Sequence, residues 1–242
     1  MVVRVNIELV AQDASKAVKR GDLIIVVDVL RTSTSIIVSL ANGAKSVTPT
    51  TTVNEADRLR KKHPSYVLVG EREGYMPKRF DLGNSPASLT RERLQRKNVI
   101  MTTTNGTRAL IKSKESRWVI VGAFLNAKAV AEKTVEIASK NGKNISFVLA
   151  GEKNHFSLED FLCAGAITDR FPKNAVELSD KTVAAFLAFN SAKNNLLEST
   201  QKSKHAQVLT KIGLSKDIEF SCQLDIYNIV PIYRNGKIRI LS

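Results

Sequence analysis

Short apolar, β-branched runs recur along this chain, each followed by a stretch of helical periodicity, and this alternation restricts the folds open to it. Leu23-Ile-Ile-Val-Val27 has no polar residue at either alternate set of positions, so a strand here must be covered on both faces. Further strands are predicted over Tyr66–Val69, Asn98–Met101, Trp118–Val121 and Ile145–Leu149. Helices are predicted over Ser33–Ala41, closed by Asn42-Gly43, over Asn126–Lys140 and over Ser157–Arg170. Thr52-Val-Asn-Glu55 has the capping-box pattern and opens a basic helix that stops before Pro64, while Ser85-Pro86 starts another helix with proline at its first position. Strands and helices in this order predict an α/β fold with a largely parallel or mixed sheet covered on both sides.

The last third changes character. Ser179 to about Ser199 reads as one long helix, Ser203–Ile212 as a shorter one ended by Gly213, and Ile232–Ile240 as a hairpin on an Asn-Gly turn. No linker, repeat or low-complexity segment intervenes. Residues 1–242 therefore read as one unit with a helical and hairpin C-terminal third from about residue 179. No window approaches the roughly 20 apolar residues of a membrane span. The start, Met-Val-Val-Arg-Val-Asn-Ile-Glu-Leu, alternates like a strand rather than a signal peptide. Cys163 and Cys222 lie far apart without a CxxC or a histidine companion, which argues against a zinc site or a disulfide framework. These features predict a soluble, cytoplasmic protein with no membrane partner.

The net charge of +14 attracts anions. Its clusters, Arg58–Lys62, Arg91–Lys97 and Lys202–Lys204, fall on what read as solvated helix faces, and the aromatic residues, 6% of the chain, are not interleaved with them. That patterning argues against nucleic acid and fits a small polyanionic metabolite, with a non-catalytic nucleic-acid- or anion-binding protein as the alternative reading. A homo-oligomer is compatible with the sequence, which specifies no oligomeric state.

Polar chemistry collects at four strand ends. Leu23–Val27 leads into Asp28-Val-Leu-Arg-Thr-Ser-Thr-Ser35, and Tyr66–Val69 into Gly70-Glu-Arg-Glu-Gly74 and on to Phe80-Asp-Leu-Gly-Asn-Ser-Pro86. Asn98–Met101 leads into Thr102-Thr-Thr-Asn-Gly-Thr-Arg108, and Ile145–Leu149 into Ala150-Gly-Glu-Lys-Asn-His-Phe-Ser-Leu-Glu-Asp160. In open α/β sheets ligands sit outside the carboxyl ends of strands, so these four loops are expected to converge. The threonine loop offers hydroxyls, backbone N–H groups at a helix start and a guanidinium, donors that suit phosphate or sulfonate.

Asp28, Glu71, Asp81, Glu159 and Asp160 are hard oxygen ligands of the type Mg²⁺ takes, often beside substrate phosphate. Arg31, Arg72 and Arg108 are placed to clamp a phosphoryl group and a second anion. With them go Ser33, Thr34, Asn84, Thr103, Thr104, Asn105, Gly106 and Thr107 as substrate-binding candidates. Each carboxylate has a structural alternative: Asp28 as a helix cap, Asp81 with Asn84 as turn builders before Pro86, and Asp160 as the capping-box partner of the Ser157 N–H, which leaves Glu159 the freer ligand. His155 reads as a surface residue and Glu73 as solvent-exposed. No GxxxxGK[ST] or GxGxxG is present, and Leu30 stands where a haloacid dehalogenase carries its second aspartate, so attack by metal-bound water is the simpler expectation.

Taken together these segments resemble the 2-phosphosulfolactate phosphatase family. The resemblance rests on Asp28-Val-Leu-Arg31, Gly70-Glu-Arg72, Phe80–Pro86, Thr102–Leu110, Ser157–Gly165, Asp217-Ile-Glu-Phe, Gln223-Leu-Asp225 and Val230-Pro231, in family order over nearly the whole chain. It implies a three-layer α/β/α fold and Mg²⁺-dependent hydrolysis of a phosphate ester beside a sulfonate, in coenzyme M biosynthesis. It further implies metal or catalytic roles for Asp28, Glu71 and Asp81, anion binding by Arg31, Arg108 and the Thr102–Thr107 loop, and adds Asp225 as a candidate. Arg79, where the family often has glycine, is expected to add positive charge near the site, and Thr32 replaces a common alanine.

Overall fold

The computed structural model describes residues 2–241. Among these, ten strands form one sheet: β1 (Val3–Glu8), β2 (Leu23–Val27), β3 (Ser46–Thr50), β4 (Val67–Gly70), β5 (Asn98–Thr102), β6 (Val119–Gly122), β7 (Ile145–Leu149), β8 (Val176–Leu178), β9 (Pro231–Arg234) and β10 (Lys237–Ile240). The helices are α1 (Ala14–Arg20), α2 (Thr32–Ala41), α3 (Val53–Lys62), α4 (Arg91–Leu94), α5 (Gly106–Lys112), α6 (Ala127–Asn141), α7 (Leu158–Asp169), α8 (Asp180–Ala192), α9 (Leu196–Gln201), α10 (Lys204–Lys211) and α11 (Ser215–Ser221). The result is a three-layer α/β/α arrangement, with the apolar alternation of β2 dividing its side chains between two cores. Leu23, Ile25 and Val27 pack with residues of α6, α7 and α8, whereas Ile24 and Val26 pack with residues of α2 and α5. Ala56 of α3 covers Leu68 and Ile100 on the outer face of β4 and β5.

The strand order is β4-β5-β3-β10-β9-β6-β2-β7-β1-β8. β3, β4 and β5 run parallel to one another, as do β6, β2, β7, β1 and β8. The C-terminal hairpin lies between the two groups, β9 antiparallel to β6 and β10 antiparallel to β3. Following those senses through the hairpin, the two parallel groups point in opposite directions. In a flat sheet the ends of β2 and β5 would leave by opposite edges, so the expectation that all four polar loops share one carboxyl edge is corrected here. The loops nevertheless meet: Thr32 Oγ1, after β2, donates to Thr103 Oγ1, after β5, at 3.1 Å. Strand twist of roughly 20–25° per step accumulates across the sheet, and α5 packs against both β2 and β3 inside the resulting curve.

Element boundaries follow local chemistry. The Thr52 hydroxyl accepts from Glu55 N at 3.1 Å, and the Glu55 carboxylate closes back on Thr51 N at 2.8 Å, so the capping box forms one residue displaced. Asn235 and Gly236 take φ of 51° and 75°, the left-handed pair that a two-residue hairpin turn needs. Two helices differ from expectation. After Ser85 there is only a 3₁₀ turn, Pro86–Ser88, before α4, and the long helix expected from Ser179 is interrupted by a 3₁₀ turn at Lys193–Asn195. β3 carries Pro49, a residue that weakens any strand signal because it lacks the N–H for a ladder bond. Among the described residues no helix is long and apolar enough to cross a membrane.

Candidate active site

Asp28 leaves β2 and turns under the first turn of α2, where it is only 5% exposed. Its Oδ1 accepts from Thr32 N at 3.1 Å and its Oδ2 from Thr32 Oγ1 at 2.8 Å, while Asp28 N donates to Ser33 Oγ at 3.0 Å. The capping role is thus real, and the carboxylate also faces a cleft of about 280 Å³. Burial pushes the Asp28 carboxyl above the ordinary carboxylate range, the Thr32 bonds oppose that shift, and Glu71 adds to it. Gly106 opens α5 against this group, where a Cβ would overlap Asp28 Oδ2 and Thr32. Glycine is required because two helix starts converge on one carboxylate.

The threonine loop is largely held by its own bonds. Thr103 Oγ1 accepts from Thr107 N at 3.2 Å, and Thr107 Oγ1 donates to Thr103 O at 3.1 Å. Glu71 fixes the loop from the end of β4: its Oε1 accepts from Thr104 N at 2.7 Å and its Oε2 from Gly74 N at 2.8 Å. Glu71, Thr104 and Asn105 line the cleft, as do Thr32, Asn84, Glu152 and Lys153. Asn84 Oδ1 is buried without a partner. The hydroxyls of Ser33 and Thr34 are turned inward, the first to Asp28 N and the second to Val29 O at 2.8 Å, so they shape the β2–α2 turn rather than the cleft surface.

The three arginines separate. Arg31 is buried in the cleft wall, donating to Asp217 Oδ2 of α11 at 2.6 Å and to Gly74 O at 3.3 Å. Asp217 Oδ1 accepts in turn from Ser85 Oγ at 2.6 Å, so the C-terminal third clamps Arg31 in place. Arg72 spends its guanidinium on Thr51 O, Glu71 O and Thr102 Oγ1, tying the ends of β3, β4 and β5. Arg108 is exposed on α5, away from the cleft lining.

Of the acidic candidates beyond Asp28 and Glu71, Asp160 is buried and reaches across to β2: Oδ1 accepts from Val29 N at 2.8 Å and Oδ2 from Gly151 N at 3.3 Å. It therefore does not cap Ser157, because the open backbone N–H groups at two strand ends claim both oxygens. Burial, then Glu159, then Asp28 hold the Asp160 carboxyl well above its ordinary range. Glu159 is buried with Oε2 unpartnered, and it lines a second cavity of about 570 Å³ adjoining the cleft through Glu152, Lys153 and His205. Among the described residues no three His, Cys, Asp or Glu side chains come together as a metal-holding group.

Asp81 stands apart from these groups. It accepts from Leu68 N and from Arg60 Nη1, each at 2.7 Å, and lines a shallow cavity beside Tyr66 and Pro64. The cause is the sense of the Asp81 segment, which runs beside β4 (Leu82 bridges Val69) and turns the preceding carboxylate toward α3. Asp225 likewise serves as a brace: it accepts from Lys128 N at 2.7 Å and from Arg170 Nε and Nη2 at 2.8 and 2.6 Å. Arg79 is 81% exposed and 3.6 Å from Asp57, outside the cleft, so the expected added charge near the site is absent. His155 and Glu73 are exposed. The basic clusters at 58–62 and 91–97 are predominantly exposed, while Lys202 and Lys204 line the second cavity.

Four residues escaped the sequence reading: His205, Glu152 and Lys153, which line the cleft, and Asp217, which bonds Arg31. Asp217 lay within a matching segment without being singled out. His205 had no motif around it; the only available signal was its spacing with Val208 and Leu209, which places all three on the face of α10 that lines the cleft.

Buried carboxylates, the Thr104–Asn105 turn and a clamped arginine thus line one cleft. Residues 9–236 match the sequence profile described as 2-phosphosulpholactate phosphatase. The chain is 35% identical over 240 residues to a "Probable 2-phosphosulfolactate phosphatase" of Clostridium beijerinckii, covering 98% of this chain and 99% of that protein. Proteins carrying the same description from Thermotoga petrophila and Thermotoga maritima are 40% identical over 214 residues and 41% over 212, each covering 88% of this chain and 89% of the relative. The chain belongs to the 2-phosphosulfolactate phosphatase family.

Proposed function

We propose that this protein is a cytoplasmic phosphatase that hydrolyses a small, doubly anionic phosphate monoester, 2-phosphosulfolactate, with Mg²⁺ as cofactor, in coenzyme M biosynthesis. The observation that carries the reading is the buried Asp28 carboxylate facing a cleft whose other walls supply Arg31, Lys153, Thr104 and Asn105. The cationic groups suit a phosphoryl dianion and a second anion such as a sulfonate. Asp28 is placed in the cleft wall to orient the attacking water. Arg31, held rigid by Asp217, binds negative charge without having to be ordered first.

The donor set fits Mg²⁺. Asp28 carries a buried carboxylate with spare lone pairs and no cation bonded to it, and Glu71 lines the same cleft. An ion that keeps most of its waters needs only one or two carboxylates, so Asp28 and Glu71 would hold it. Bound there, Mg²⁺ would polarise the phosphoryl oxygens and offset their charge.

The experiment is phosphate release from 2-phosphosulfolactate by the purified protein, with and without added Mg²⁺. Metal-dependent release is expected, Asp28→Asn should lose most of it, and Lys62→Ala should keep it. A folded wild-type protein that releases no phosphate overturns the reading.

A further inference from the structure

We infer that His205 is the acid that protonates the leaving alcohol, positioned by Glu152; this rests on the phosphatase reading. His205, Val208 and Leu209 come from one face of α10 and form the cleft wall contributed by the C-terminal third. The helix start is held by Ser203 Oγ, which accepts from Ala206 N at 3.2 Å, and by the fully buried Ala206 and Leu209, so the imidazole is carried on a docked element rather than a loose loop. Glu152 Oε1 lies 3.6 Å from His205 Nδ1, and that nitrogen is buried with no hydrogen-bond partner. A carboxylate beside one ring nitrogen orients the ring and leaves the other nitrogen, Nε2, to act.

Asp28 and Arg31 line the same cleft as His205. In an in-line displacement the attacking and leaving oxygens lie on opposite sides of phosphorus, and the leaving oxygen of an alkyl ester is the one that needs an acid. The water oxygen bonds to phosphorus while the phosphorus–ester oxygen bond breaks. The bonding pair stays on the ester oxygen, which takes the Nε2 proton to become the alcohol. The proton shed by the water passes to solvent, and solvent returns one to the imidazole, so no further reactant is consumed. His205 is the one imidazole facing the cleft: His155 borders only the second cavity, and His63 is stacked on Tyr66 at 4.6 Å.

The test compares an alkyl ester, 2-phosphosulfolactate, with 4-nitrophenyl phosphate, whose leaving group needs no proton. His205→Gln is expected to slow the alkyl ester about 10²- to 10⁴-fold and the aryl ester less than about tenfold. Glu152→Gln should slow the alkyl ester selectively and by less. Equal losses on both esters, or none, overturn the assignment. If the wild-type protein hydrolyses neither ester, the phosphatase reading has failed, and NMR of ring-labelled histidine judges the placement by itself. The chain has three histidines, and His205→Gln identifies the third signal by its loss. Inorganic phosphate is expected to displace that signal in the wild-type protein; an unmoved signal overturns the inference.

Discussion

Asp28, Glu159 and Asp160 place carboxyl groups where little solvent reaches them, and for Asp160 a single substitution reads the consequence. Asp160 is held well above its ordinary range by burial first, then by Glu159 and Asp28. Because its folded value exceeds its unfolded one, the folded protein keeps a proton that the unfolded chain releases. Stability should therefore fall as pH rises from about 4 through the folded value, and level off above it. Asp160→Asn removes this ionisation, so its melting temperature should vary less between about pH 4 and 7 than that of the wild type, followed by circular dichroism. Arg31 presents the converse case. Asp217→Asn leaves the guanidinium without its charged partner and should cost about 3–5 kcal/mol in urea unfolding. In the assay it should raise KM more than it lowers kcat, since Arg31 binds charge in substrate and transition state alike.

Helix starts set the spacing of the site. α2 and α5 begin side by side because Gly106 has no side chain to hold them apart, and Asp28 occupies the space between. Gly106→Ala should push α5 away from Asp28 and Thr32, costing about 1–3 kcal/mol, and should reduce turnover even in protein that remains folded. Thermal melts and phosphate release on the same preparation separate the two effects. α10 lines the same cleft. Its contribution could not be inferred from amphipathicity alone, because a face lining a cleft and a face packed in the core carry the same spacing of apolar residues.

The C-terminal hairpin joins the two parallel groups into one sheet. Ile238, on β10, is fully buried and pairs with Val47 of β3, while β9 pairs with β6. Ile238→Ala should cost about 2–5 kcal/mol. If the hairpin couples the halves, hydrogen exchange should show β2 and β5 losing protection together. Independent loss would show that the halves open separately.

The amino-acid sequence by itself determined where the buried strands lie, because a run covered on both faces must be apolar throughout: Leu23–Val27 and Ile145–Leu149 appear at their predicted bounds. It also determined the Thr52 cap, the Asn235-Gly236 turn and the chemistry of the four polar loops, all of which depend on neighbouring residues. Tertiary structure decided which of those loops meet. Periodicity records how deeply a residue is buried, but not which distant strand lies beside it. The insertion of the hairpin and the curl of the sheet bring Asp28, Glu71 and Thr104 to one cleft and send Asp81 to another. The same long-range packing delivered His205 and Asp217 from the last third of the chain, since a side chain that acts across a cleft owes its position to contacts far away in sequence.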